Sequence, residues 1–256
     1  MATTSTRQRI LTASLDLFNR DGVRRATTNH IAAHAGISPG NLYYHFRSRE
    51  EIIRELFPEV ARATRQTIVL PPPGAELTAH EVARYHLSGI EVLWRFRFFF
   101  RDLNEIVSRD HAIAKRYRAL QDWLVSAFQG MFARLTAQAS MRRIGSPVEV
   151  KQLAENAALV WTSWVNFLMT AGKAAVERGD IVAGASHGLL TFSAYLDEAF
   201  AREIRAAIQR WRAPGARSVR ARRPRASLST VTQPARAPTP RATGRRSSRR
   251  GQTRWR

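Results

Sequence analysis

The stretch Ile31-Ala32-Ala33-His34-Ala35-Gly36-Ile37-Ser38-Pro39-Gly40-Asn41-Leu42-Tyr43-Tyr44-His45-Phe46-Arg47-Ser48-Arg49-Glu50 decides how the front of this chain folds. It carries the signals of two short helices with one glycine between them. Thr27 is a good N-cap, and Ile31, Ala32 and Ala35 then fall on one inward face. Gly36 supplies a turn. Ser38 caps the next helix, Pro39 suits its first position, and Leu42 and Phe46 form an inward pair at i and i+4. Working outward, Ile10, Ala13, Leu17 and Phe18 mark an upstream helix that should stop near Gly22. Downstream, Ser48-Arg49-Glu50-Glu51 reads as a capping box opening a further helix through Ile52, Ile53, Leu56 and Val60.

Two short helices joined by a tight glycine turn make a minimal helix-turn-helix. In such a unit the second helix enters the major groove and its N-terminal residues meet base edges. Those residues here are Ser38, Pro39, Gly40 and Asn41, followed by the outward side chains Tyr43, Tyr44 and His45. Arg47 and Arg49 come next, placed for phosphate contacts. Tyr44 reads first as a packing residue, its ring covering the junction with the upstream helix, and second as a contact. His34 reads as a surface residue.

The same residues resemble the DNA-binding signature of the TetR/AcrR family of regulators, approximately I-A-x-x-A-G-[VI]-S-x-G-x-L-Y-Y-H-F-x-S-K-E. The resemblance covers roughly residues 7–57, and Arg49 stands where the pattern has Lys. It implies an all-α homodimer, usually a repressor, whose first three helices bind DNA. A larger C-terminal domain would bind a small effector and dimerise. Carried over by position, Thr28 and Asn29 would touch phosphate or base, and Ser38, Gly40, Asn41, Tyr43 and His45 would be the main contacts of the recognition helix. The last two long helices, about 148–178 and 182–211, would form a four-helix dimer interface.

The chain has 256 residues, of which 44% are apolar, enough for a sizeable core. With no Cys, disulfides and Cys-based zinc sites are excluded. Seven His without paired spacing imply no metal, and nothing implies a cofactor. The N-terminus lacks an apolar signal region, and residues 154–171 are interrupted by Glu155, Asn156, Thr162, Ser163 and Asn166, so neither export nor membrane spanning is expected. A cytoplasmic protein is the expectation. The net charge is +21, but 14 of the Arg residues lie beyond Arg210, in a stretch with no Asp, Glu or Lys. Residues 1–66 are at +4 and residues 67–210 at +3, so the part able to fold is only mildly basic.

Three segments follow: a DNA-binding domain over 1–50, a helical effector-binding and dimerisation domain over 51–211, and an Arg-rich tail over 212–256 that is too poor in apolar residues to order itself. Pro71-Pro72-Pro73-Gly74 breaks any helix. Helical faces recur in the middle: Ile113, Tyr117, Leu120, Leu124, Phe128, Met131 and Leu135; then Leu153, Ala157, Val160, Trp161, Trp164 and Leu168; then Leu189, Phe192, Leu196, Phe200, Ile204, Ile208 and Trp211. Ser146, Pro147 and Glu149 form a capping box, and Gly179-Asp180 suits a break before the last helix. No stretch alternates as a strand does, so the fold class is all-α: a three-helix helix-turn-helix domain with a larger helical domain behind it.

The run from Trp94 to Glu105 interleaves aromatics with cations. It can line a pocket for an acidic apolar ligand, with Trp94, Phe98 and Arg101 in its wall, or form an aromatic core edged by Arg101–Asp102 ion pairs. Trp123, Trp161 and Trp164, with Phe167, fit pocket wall or dimer core equally well. The tail admits three readings: non-specific DNA affinity by counterion release, an acidic partner, or the unselected product of a GC-rich coding sequence. Three functions therefore compete. The first is a repressor released from operator DNA by an effector. The second is a non-specific, chromatin-like binder driven by the tail. The third, an enzyme, is opposed by the absence of H-E-x-x-H, of a phosphate-binding glycine loop and of a nucleophile elbow.

Overall fold

The computed structural model describes residues 5–211; the Arg-rich tail over 212–256, expected to be disordered, lies outside them. The described residues are helical, with a single isolated bridge between Met141 and Leu196 in place of any strand. The elements are α1 (Thr6–Asp21), α2 (Thr28–His34), α3 (Pro39–His45), α4 (Arg49–Arg65), α5 (Ala79–Arg95), α6 (Arg97–Arg101), α7 (Leu103–Arg109), α8 (His111–Ala137), α9 (Pro147–Thr170), α10 (Arg178–Leu190) and α11 (Glu198–Arg210).

Most helices begin where a local side chain accepts from the first turn. Ser5, Thr27, Ser38, Ser48, Thr78, Asp110, Ser146 and Asp197 do this in turn, satisfying amides that have no partner inside the helix. Ser146 and Glu149 close the expected capping box. At Ser48 the structure differs. Its hydroxyl accepts from Glu51 N, but the Glu51 carboxylate reaches one residue further back and accepts from Arg47 N at 2.7 Å. The cap holds; the reciprocal half of the box is shifted by one residue.

The head is α1–α3. Ile10, Leu17, Phe18, Ile31, Leu42 and Phe46 meet in its interior, all buried. Gly36, at φ 65°, makes the turn between α2 and α3 in a conformation that L side chains rarely adopt. Behind it α5 is the central mast, packed by α9, α10 and α11 and touching α4. α8 and α9 lie against each other, and α4 packs on both α1 and α8. The aromatic run after α5 is core: Phe96, Phe98, Phe99 and Phe100 are all buried.

The expected last pair of long helices, 148–178 and 182–211, is corrected. α9 stops at Thr170, and the second span is two helices, α10 and α11, separated by a single 3-10 turn over Ser193–Tyr195. The break is made by partners distant in sequence. The link between α8 and α9 runs alongside it: Arg142 N donates to Tyr195 O at 2.8 Å and Asp197 N donates to Ser140 O at 2.9 Å. Asp197 then caps α11 by accepting from Phe200 N. The periodic apolar face is real, but its middle turns aside to pair with another segment.

Candidate nucleic-acid interface and its coupling to the core

α2 and α3 hold the reading surface. Each has seven residues, too short to persist alone in water, so their caps and the buried Ile31, Leu42 and Phe46 fix them. Arg9 reinforces the turn between them, donating to Ala35 O at 2.6 Å. On the outward side Asn29, Ser38, Pro39, Gly40, Asn41, Tyr43, Tyr44 and Arg47 are exposed, Thr28 and His45 partly so. Thr28 and Tyr43 share a hydroxyl–hydroxyl hydrogen bond at 3.0 Å, which ties α2 to α3 on the exposed face. Tyr44 does not pack over the junction with α1: it is 85% exposed and meets only the edge of His45, at 5.2 Å. It projects, leaving a large amphipathic ring free for a partner.

Arg49 is placed differently. Its guanidinium donates to Val23 O at 2.6 Å and to Arg24 O at 3.3 Å, and pairs with Glu50 at 3.2 Å. It ties the start of α4 to the α1–α2 link, with only its remaining surface turned outward. Arg24 and Arg25, which the motif does not single out, are exposed on that link. Their signal was available, since two adjacent cations follow the helix stop at Gly22.

The six pocket candidates are not gathered around one cavity. Phe98 packs on Phe18 of α1, ring centroids 5.5 Å apart. Arg101 donates to Phe18 O at 2.6 Å, covering the carbonyl end of α1. Trp94 lies under Arg97, and Trp123 beside Arg65. Trp161 is buried against α5 at Gly89, where a side chain would collide with its ring. Trp164 donates to Asp180 O at 3.0 Å and stacks on Phe167.

The seam between head and core is hydrogen-bonded. The Asn19 amide donates to Arg95 O at 2.8 Å and accepts from Phe98 N at 3.0 Å, bridging the interruption between α5 and α6. Asp102 accepts from Val23 N at 2.8 Å while pairing with Arg101. Arg54 of α4 meets Asp110, whose other oxygen caps α8 through Ala112 N and Ile113 N. Burial works against the Asp110 carboxylate, yet these bonds hold its pKa below the usual range. α5–α8 are therefore joined to α1 and α4 through charged and amide contacts as well as packing.

These features define a helix-turn-helix head joined firmly to an all-helical core. A family model described as "Bacterial regulatory proteins, tetR family" matches residues 10–56, and a second, described as "Bacterial transcriptional repressor", matches 63–204. The chain belongs to the TetR family of bacterial transcriptional regulators. It is 34% identical to a TetR-family transcriptional regulator from Marinobacter aquaeolei VT8, covering 81% of this chain and 99% of that one with a TM-score of 0.72. A TetR-family regulator from a Rhodococcus species shares the fold at 19% identity and a TM-score of 0.56, over 75% of this chain and 99% of that one. Among curated relatives, the regulator SrpR of Pseudomonas putida is 43% identical over 49 residues, 19% of this chain and 23% of its own length. UidR of Escherichia coli K12 is 41% identical over 51 residues, 20% of this chain and 26% of its own. The match thus spans about a quarter of each of these two curated relatives. No described helix is long and apolar enough to cross a membrane.

Proposed function

We propose that the protein is an operator-binding repressor that acts as a homodimer in the cytoplasm and is released from DNA by a small effector. The division of labour falls near residue 50, with residues 51–211 serving effector binding and dimerisation. The observation that carries the reading is the polarity of α3: Leu42 and Phe46 are buried while Pro39, Gly40, Asn41, Tyr43 and Tyr44 are exposed. A helix presented this way matches a recognition helix in a major groove. Thr28, Asn29, Ser38, His45 and Arg47 complete the contact set, and Arg49 adds charge from its tethered position.

Dimerisation is assigned to α9 and α10. Leu159 and Phe167 on α9 and Leu190 on α10 are 60–64% exposed, and the Trp164–Phe167 stack extends to His187 of α10 at 4.8 Å from Trp164. Large exposed apolar groups clustered on adjacent helices favour burial against a second copy. The pair is α9 with α10, the two helices that carry these exposed groups. The reading is tested by fluorescence anisotropy on DNA flanking the gene, at about 0.15 M salt with excess random competitor. Competitor-resistant binding that Tyr43→Ala abolishes is the expected result. Binding that competitor removes, unchanged in the variant, would leave a non-specific DNA binder.

A further inference from the structure

His86 sits in the middle of α5 with 2% of its surface exposed, and neither ring nitrogen has a hydrogen-bond partner. Native structures leave few buried polar groups unpaired, because such a group gives up its bonds to water and gains none in return. The imidazole stacks on Phe192 at 5.7 Å and lies 6.1 Å from Phe128, while Phe132 closes the cluster 5.1 Å from Phe192. On one edge Gly188 of α10 brings its backbone so near that an added Cβ would stand 2.7 Å from Nδ1. Nδ1 thus lies against α10, while Nε2, as fully buried, is not among the ring atoms nearest Gly188.

We propose that His86 Nε2 is the polar anchor of the effector site, and that the effector is an uncharged aromatic molecule carrying a hydroxyl. The proposal rests on the effector reading above and gives it a ligand class. The walls are aromatic, which favours a flat apolar body with offset or edge contacts. Burial alone depresses the imidazole pKa, to about 4, with no charged neighbour contributing. Beside the imidazole a carboxylate guest would find no cation and an ammonium guest no anion, Arg143 standing on the outer groove, and an unpaired buried charge is strongly disfavoured. A hydroxyl both donates and accepts, so it satisfies Nε2 in either tautomer of the neutral ring. Access runs past Phe132, which belongs both to this aromatic cage and to an open groove of about 490 Å³ lined by Gln129, Ala133, Arg143, Ile144 and Val150. That volume falls within the range of small-molecule sites, roughly 300–1,000 Å³. Rotation of one ring joins groove and cage.

The test is calorimetric titration of the full-length protein with 2-naphthol, naphthalene and 2-naphthoate. The expected result is that 2-naphthol binds at least about tenfold more tightly than either, because a site built to pair a hydroxyl rejects analogues lacking it. His86→Leu is expected to erase that preference. A crystal structure of the wild type with 2-naphthol gives a reading independent of that variant's stability: the oxygen is expected about 2.7–3.2 Å from Nε2. Equal binding of the three probes, no binding, or 2-naphthol seated elsewhere overturns the anchor. Naphthol held on His86 without loosening operator DNA leaves the anchor standing and overturns release by this site. Release by another compound that is undiminished in His86→Leu overturns the anchor and leaves the effector reading standing.

Discussion

The head and the middle of this molecule treat polar groups in opposite ways. In the head, hydroxyls do the organising. Ser5, Thr27 and Ser38 each accept from an amide three residues on, and Thr28 and Tyr43 clasp across the two short helices. The bonds are local and exposed, so the helices hold their shape while their outer side chains stay available. In the middle, aromatic rings do the organising, and a polar group such as His86 is enclosed without a partner. The difference suits a surface that must greet polar, charged DNA and an interior that must greet something apolar. Between them lies the seam of Asn19, Arg101 and Asp102, made of bonds between residues 76 to 83 positions apart.

The largest expected effect breaks that seam. Asn19→Ala removes both bonds of the amide and strands the part-buried Arg95 O and the buried Phe98 N, which the α5–α6 interruption leaves without helical partners. At about 1–3 kcal/mol for each buried group left unpaired, a loss of roughly 2–4 kcal/mol is expected in urea denaturation. A loss below about 0.5 kcal/mol would mean that Asn19 adds nothing to the seam beyond Arg101, Asp102, Arg54 and the packing.

The second concerns the middle. The folded state holds the His86 pKa at about 4, below its ordinary 6.5, so the unfolded chain binds the extra proton first as pH falls. Stability from this group is therefore intact above pH 6.5 and declines toward pH 4, by about 1.4 kcal/mol per unit and roughly 3 kcal/mol in all. His86→Leu should flatten that part of the stability–pH curve relative to wild type. An unchanged slope would show that other groups set it.

A third, smaller change returns to the head. Ser38→Ala removes the α3 cap and should cost about 1 kcal/mol, with operator affinity falling further than global stability because α3 frays at the end that meets DNA. Equal losses in the two measurements would show that α3 is held by its buried residues alone.

What was legible in the sequence follows the same division. Caps and turns act within three or four residues, so Thr27, Gly36, Ser38 and Ser146 could be read directly, and the boundaries of α2 and α3 with them. The break between α10 and α11 was not legible. Leu189, Phe192 and Leu196 keep helical spacing, and the interruption depends on Ser140 and Arg142, some fifty residues away. The aromatic run at 94–105 left pocket and core both open and did not show that Arg101 would cover the end of α1, since a cation beside an acid reads alike in a pocket or a seam. Tyr44 was misread as packing because a tyrosine's apolar body suggests burial, and only the fold shows that nothing lies over it. His86 gave no signal at all: one histidine in an amphipathic helix looks ordinary until its neighbours are known.

The smallest change is the most discriminating. Tyr43→Phe keeps the ring and removes one hydroxyl, which is half exposed and bonded to Thr28 at 3.0 Å. An exposed neutral hydrogen bond is worth about 0.5–1 kcal/mol, so the melting temperature should move by little. If the bond sets the angle between α2 and α3 that DNA requires, operator affinity should fall several-fold, and Thr28→Val should cause the same loss without adding to it in the double variant. If the two losses add fully, each hydroxyl meets DNA on its own account and the clasp forms only in the free protein. The double-variant cycle therefore separates a reading head pre-shaped by its own bonds from one shaped by its operator.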